Sequence, residues 1–142
     1  MNDESKNVQE ILAAETRAGL KDLSRAFLRL HKTLLDAAKV EYEAKNGRIA
    51  SVNLYFQLVI DDPHFAWLRK MSALIALIDE AVSIRRPATE EVARALFGEA
   101  KILLLFEDAD EDFNNKFQTA LQNNQDAVLN YNDTLKFVNG RQ

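Results

Sequence analysis

The stretch that decides the fold is DDPHFAWLRKMSALIALIDEAVS, residues Asp61–Ser83. Asp62 is a suitable helix cap, and Pro63 would then occupy the first helical position, where its missing N–H costs nothing. Apolar side chains follow at steps of three and four, the period of one helix face: Trp67, Leu68, Met71, Leu74, Ile75, Ile78 and Val82. Since Leu77 and two alanines fill part of the other side, the pattern predicts a central helix buried on most of its circumference.

A membrane span is the competing interpretation of so apolar a segment, but a span needs about 20 apolar residues. Arg69 and Lys70 precede the run SALIALI, and Asp79 and Glu80 end it. We therefore exclude a membrane crossing and do not expect a membrane partner.

Composition favours a single helical domain. The chain has 142 residues, of which 47% are hydrophobic, which is enough for one packed core. With four Gly and two Pro it is poor in the turn residues that a series of short strands needs. The sequence thus predicts an all-α protein, a single-domain up-and-down bundle of four to five principal helices. We expect the helices at Leu20–Lys45 and Pro63–Ser83 to pack against each other at its centre.

Helix boundaries can be placed by capping residues. Asn46–Gly47 is a suitable C-terminal stop for the helix that begins near Leu20. Ser51 can cap a short helix over residues 51–60, although SVNLYFQLVI also has the composition of a strand. We prefer the helix because no partner strand is evident. Thr89 begins the next helix, and the acidic run Glu107–Asp112 is interpreted as a solvated connection before the last helical segments.

The N-terminal residues follow a different pattern. Val8, Ile11 and Leu12 are out of phase with the apolar residues that begin at Leu20, and Gly19 lies near the change. The pattern predicts a bend or a separate helix around residues 13–19. We therefore divide the chain into an N-terminal helical arm, residues 1–18, and a bundle domain, residues 19–139, and expect the arm to contribute to association.

Charge and cysteine content exclude several classes of function. The formal net charge is −4 and no block of basic residues stands out, so a nucleic-acid partner is not expected. The chain has no Cys, which removes disulfides and thiolate sites and is typical of a reducing cytoplasm. Its polar N-terminus does not resemble a secretory signal. We expect a cytoplasmic protein.

Catalytic and metal-binding patterns are missing from the sequence. The two histidines are too few for a hemerythrin-type iron site, and neither follows a Glu by three residues as di-iron bundles require. Ser72 has no nucleophile-elbow context, and the glycines form no phosphate-binding loop. We therefore expect no metal, no cofactor and no catalytic residue, and interpret the chain as a non-enzyme.

One polar stripe is the best candidate for a binding site. Arg69, Ser72, Ala76 and Asp79 recur at helical spacing on the central helix. The favoured interpretation is a polar contact between two helices. The alternative is a pocket for a small acidic amphiphile, with Arg69 to hold the anion and Trp67 among the apolar lining. His31 on the neighbouring helix would join it, although His31 is more simply a half-buried histidine with a hydrogen-bond partner. The candidate ligand residues are His31, Trp67, Arg69, Ser72 and Asp79.

Three segments resemble a family of uncharacterised small bacterial proteins: Leu30–Glu43, Asp61–Val82 and, more weakly, Phe117–Asp133. The shared core is Asp-Pro-x-Phe-x-Trp-Leu-Arg, here Asp62, Pro63, Phe65, Trp67, Leu68 and Arg69. The resemblance covers roughly residues 23–135 and implies a compact helical domain without a known activity. It draws attention to His31, Arg69 and Asp79, which lie inside the resembling segments.

The resulting hypothesis is a helical domain that acts by binding another protein or a second copy of itself. A bundle that binds a small molecule through His31, Arg69 and Asp79 is the alternative, and an enzyme ranks below both.

Overall fold

The computed structural model describes residues 11–83, 85–86 and 88–139, and the fold is an all-α bundle. The described residues form six α-helices rather than the four or five expected: α1 Ala14–Asn46, α2 Val52–Asp61, α3 Leu68–Ala81, α4 Glu90–Leu104, α5 Glu111–Asn123 and α6 Gln125–Leu135. The predicted all-α class is confirmed. The number of helices is higher because the C-terminal helical segment is divided at Asn124, whose side chain caps α6.

The long helix α1 lies at the centre and sets the directions of its neighbours. Ser24 and Ala38 of α1 contact Asp79 and His64 respectively, so α3 runs antiparallel to α1. Thr16 bonds to Glu90 at the start of α4, which places that end of α4 beside the beginning of α1. The predicted packing of α1 against α3 is confirmed. One face of α1 fills the core: Leu20, Leu23, Phe27, Leu30, Leu34 and Ala38.

A bend or a separate helix was predicted around residues 13–19, but no separate helix is present there, because α1 starts at Ala14 and passes through Gly19 without interruption. Ile11 and Leu12 are not helical. Ile11 forms an isolated bridge with Thr89, and the Leu12 N–H donates to the carbonyl of Ala88. Apolar residues in extended backbone do not follow a helical period, which explains why Ile11 and Leu12 are out of phase with the apolar residues of α1. The predicted division at residue 18 lies inside α1, and Val8 lies outside the described residues.

The central stretch differs from its prediction in two ways. Asp62 and Pro63 do start a helix, but it is a 3₁₀ helix, Pro63–Phe65, capped by the Asp62 side chain, and α3 starts only at Leu68. The prediction of burial on most of the circumference is also wrong. Leu77 is 55% exposed, and Ala73 and Ala76 are exposed beside it. Among the helices, α3 packs mainly against α1 and α4, and these two cover only one of its sides.

Three predicted boundaries are confirmed. Gly47 ends α1 with φ of 87°, and its N–H donates to the carbonyl of Glu43. A positive φ favours glycine, which has no Cβ to clash with the backbone. The hydroxyls of Ser51 and Thr89 accept N–H groups at the starts of α2 and α4, so residues 52–61 are helical as preferred. The acidic run also has a structural role, because Asp110 caps α5.

None of the helices in the described ranges combines the length and apolar character that a membrane crossing requires.

Candidate functional site

The residues of the predicted polar stripe take part in separate contacts and do not converge on one cavity. Asp79 accepts a hydrogen bond of 2.5 Å from Ser24. Ser72 is exposed and donates to the carbonyl of Arg69, 3.0 Å away on its own helix. The Arg69 side chain points to the end of α2, where its partners are backbone carbonyls. Each polar member of the stripe is therefore bonded within the chain.

Arg69 fixes the end of α2 because a proline follows that helix. The carbonyl of Val59 would normally accept the N–H of residue 63, but Pro63 has no N–H. The guanidinium of Arg69 takes its place, with Nε 3.2 Å from the Val59 oxygen. Nη2 of the same guanidinium lies 3.1 Å from the carbonyl oxygen of Asp62. Arg69 thus joins α2 to α3 and donates hydrogen bonds to backbone carbonyls that have no partner within α2.

His31 is half-buried on α1 and bonds to the backbone of Leu68. Burial lowers the pKa of its imidazole, because desolvation disfavours the charged form, and the hydrogen bond to Leu68 opposes that shift. Asp79, the carboxylate of the polar stripe, is not among the causes of this lowered pKa. His31 is therefore a contact between α1 and the start of α3, about two helical turns along α1 from Ser24.

Trp67 belongs to a groove of about 730 Å³ between the C-terminal half of α1 and α5. Trp67 and His64, from the segment between α2 and α3, also line the groove. The α1 wall is largely apolar and is formed by Leu34, Ala37, Ala38, Val40 and Glu41. The opposite wall comes from α5: Asn115, Lys116, Thr119, Ala120 and Asn123. Of the five predicted ligand residues, only Trp67 lines this groove.

The geometry of the groove suits a ligand with one apolar and one polar edge. Asn115, Thr119 and Asn123 recur every four residues, so they present amides and a hydroxyl along one side of α5. Trp67 is half-buried, with its ring centroid 6.2 Å from that of Phe113 and 6.4 Å from that of Phe117. His64 is held by a 2.7 Å contact between Nε2 and the carbonyl oxygen of Ala38. Trp67 and His64 therefore have defined contacts at the edge of the groove.

A second candidate surface is the outer side of α2. Helix α2 is the most apolar helix of the fold, and it contains no fully buried residue. Val52, Phe56 and Ile60 are spaced four residues apart and are 67%, 58% and 65% exposed. We call these three side chains the α2 apolar face. No charged residue occurs from Ser51 to Ile60.

The inner side of α2 holds the helix firmly against the bundle. Tyr55, Leu58 and Val59 pack on the core. The Tyr55 ring lies 6.1 Å from that of Phe65, and the ammonium of Lys39 lies 4.9 Å above its centroid. Burial raises the pKa of Tyr55, and the carboxylates of α1 near it act in the same direction. The exposed α2 apolar face is therefore part of an ordered helix with fixed contacts on its inner side.

Sequence reasoning did not identify either surface as a site. The apolar residues of α2 were evident in SVNLYFQLVI, but their exposure depends on which side of α2 meets Phe65. His64 directly follows the helix cap and proline in the sequence, and nothing in that position shows that its ring contacts α1. The one available signal was the excess of apolar residues in a ten-residue helix, more than one buried side requires.

Among the described residues, no three His, Asp or Glu side chains are grouped as a metal site would need. Comparison of this chain with protein-family models, with curated proteins and with solved structures finds no match.

Proposed function

We propose that this domain is a non-enzymatic binding protein that docks another protein chain on the α2 apolar face. The observation that supports the proposal is the exposure of Val52, Phe56 and Ile60 on a helix whose position is fixed by Arg69. An ordered apolar patch without charge is typical of the centre of a protein–protein interface. The absence of Cys and the net charge of −4 fit a cytoplasmic protein without a nucleic-acid partner.

A photo-cross-linking experiment tests the proposal. Gln57 is exposed next to Phe56, and Ala76 is exposed on α3 away from α2. A photoreactive amino acid replaces each of them in turn in the full chain, produced in cells. We expect protein adducts from position 57 and none from position 76, and we expect Phe56→Glu to abolish them. Absence of adducts at position 57, or adducts that survive Phe56→Glu, contradicts the proposal.

Small-molecule binding in the groove is the second candidate. Its volume of about 730 Å³ lies within the usual range of ligand pockets, roughly 300–1,000 Å³. Lys116 places a cation on the α5 wall, where it pairs with Asp112 at 3.2 Å. An acidic amphiphile, the ligand class also suggested by the sequence, would place its anionic group at Lys116 and its apolar part along Leu34 and Trp67.

The only Trp of the chain is a built-in reporter for that ligand class. Fatty acids of increasing chain length are titrated while Trp67 emission and the melting temperature are followed, because a ligand of the folded state raises its stability. Ala37→Phe narrows the groove and should remove the response, whereas Ala73→Phe, on the exposed side of α3, should retain it. Unchanged emission and melting temperature with every fatty acid would reject this candidate.

A further inference from the structure

We propose that the partner of the α2 apolar face is the same face of a second copy of this chain, with the two α2 helices antiparallel about a two-fold axis. This inference rests on the proposed function, because it names the partner of the same surface. Two copies related in this way use identical surfaces, which is the commonest arrangement among homodimers.

The spacing of the α2 apolar face fits such an axis. Phe56 is its centre, with Val52 four residues before and Ile60 four residues after. An antiparallel pair therefore sets Phe56 beside Phe56 of the second copy, and Val52 beside Ile60 of the second copy. The two outer contacts are identical by symmetry, and the interface contains apolar side chains together with the neutral amides of Asn53 and Gln57.

Charges at the two ends of α2 favour the antiparallel direction. Arg48 precedes the helix and Asp61 is its last residue, and neither forms an ion pair in the described part of the chain. Asp61 lies at the negative end of its own helix dipole, where an acid is unfavourable. The antiparallel arrangement brings it to the positive end of the other α2 and towards Arg48 there. A parallel pair would instead place like charges together.

Two further properties of α2 bear on the partner. Helices that lie on membrane surfaces carry Lys and Arg along their polar side. Helix α2 has no Lys or Arg from Ser51 to Ile60 and ends in Asp61, so a protein surface fits it better than an anionic bilayer.

The length of α2 limits the size of the interface. A helix of ten residues is about 15 Å long. The interface is therefore at the small end of the usual range, and the dimer is one that dissociates on dilution.

Sedimentation velocity on the full chain tests the dimer. We expect a reversible monomer–dimer equilibrium at micromolar concentrations. Phe56→Glu should weaken it roughly thirtyfold or more, the loss expected for a central interface residue. Leu77→Glu is the matched control, since Leu77 is 55% exposed and Phe56 58%, and it should associate like the unmodified chain. Circular dichroism verifies that both variants are folded.

Charge exchange tests the antiparallel direction. In the Arg48→Glu homodimer, the introduced Glu of each copy would lie beside Asp61 of the other copy. In the Asp61→Arg homodimer, the introduced Arg of each copy would lie beside Arg48 of the other copy. Like charges repel, so each variant alone should be mostly monomeric. An equimolar mixture pairs Glu with Arg at one end and Asp with Arg at the other. We expect the mixture to recover dimers. A mixture that stays monomeric while the unmodified chain dimerises would overturn the antiparallel arrangement.

The remaining outcomes separate this inference from the proposed function. A chain that stays monomeric at every concentration, or a dimer that Phe56→Glu leaves unchanged, overturns self-pairing. If cross-links from position 57 then join the chain to a different protein, and Phe56→Glu abolishes them, the proposed function stands without self-pairing. Binding to anionic phospholipid vesicles that is lost in Phe56→Glu, without any protein adduct, would reject both.

Discussion

The hydroxyl of Ser24 donates a hydrogen bond of 2.5 Å to the carboxylate of Asp79 and so joins α1 to α3. Ser24 is only 7% exposed, whereas Asp79 extends from the exposed side of α3. A charged acceptor makes this bond stronger than one between neutral groups. The acid of the predicted polar stripe therefore has a structural partner.

Replacing Ser24 should measure the strength of this contact. We expect Ser24→Ala to lower the free energy of unfolding by about 1–2 kcal/mol, because the variant loses a hydrogen bond to a charged acceptor. Ser72→Ala is the control: its hydroxyl is exposed and bonds within α3, so its loss should stay within about 0.5 kcal/mol. Urea unfolding compares the two. Equal losses would show that the Ser24–Asp79 bond does not stabilise the helix pair.

Trp67 and Phe65 should differ in their contributions to stability. Phe65 is completely buried, while Trp67 is half-buried and lines the groove. We expect Phe65→Ala to lower the free energy of unfolding by about 3–5 kcal/mol, and Trp67→Ala by about 2–3 kcal/mol because it leaves a cavity open to water. Chemical unfolding followed by circular dichroism measures both. A larger loss for Trp67→Ala would place it deeper in the core than the structure does.

Deleting residues 1–18 should destabilise the bundle itself. Residues 12–17 form several hydrogen bonds with residues 82–90, which connect α3 to α4. Leu12 is buried and bonds to Ala88, Thr16 bonds to Glu90, and the Arg17 guanidinium donates to the carbonyl of Val82. We expect a loss on the order of 3–5 kcal/mol, seen as a lower melting temperature.

Deleting only residues 1–10 is the control for that truncation, because it leaves all of these contacts in place. A chain lacking residues 1–18 that melts at the same temperature as one lacking residues 1–10 would contradict the role of residues 11–17 in the fold.

His31 should make stability fall as the solution becomes mildly acidic. Burial lowers the pKa of His31 in the folded chain below its ordinary value of about 6.5. Above that value both states are neutral at His31. Below it the unfolded chain takes up the proton first, so the free energy of unfolding falls with pH until the folded His31 is protonated as well.

His31→Gln should flatten this part of the pH dependence, because glutamine has no proton to gain. Urea unfolding at a series of values from about pH 7.5 to about pH 5 measures the slope for both chains. Identical slopes would show that His31 is not the group responsible.

The features that follow local rules could be predicted from the sequence. Ser51, Thr89 and Gly47 act through hydrogen bonds to residues within four positions of themselves, so their roles depend only on neighbouring sequence. The buried face of α1 was evident for the same reason, since its apolar residues recur at the helical period. All of these predictions are confirmed.

The features that depend on contacts between distant parts of the chain could not be predicted from the sequence. Arg69 and Asp79 share one stripe in the sequence, but the partner of Asp79 is 55 residues away and Arg69 bonds to the end of α2. Helical periodicity says which residues share a side, not what that side meets. The same reason explains the exposed side of α3, whose apolar and small residues predicted neighbours that the described part of the chain does not supply.

The hydrogen bond between Asn130 and Thr33 joins residues 97 positions apart, and it has a consequence for synthesis on the ribosome. At roughly 5–20 residues per second, about 5–20 seconds separate the making of α1 from that of the helix that covers it. During that interval the face of α1 that α6 will occupy lacks its partner. The packing of α1 is therefore incomplete until α6 has been synthesised. Nascent chains stalled before residue 125 should be more sensitive to proteases than the complete chain.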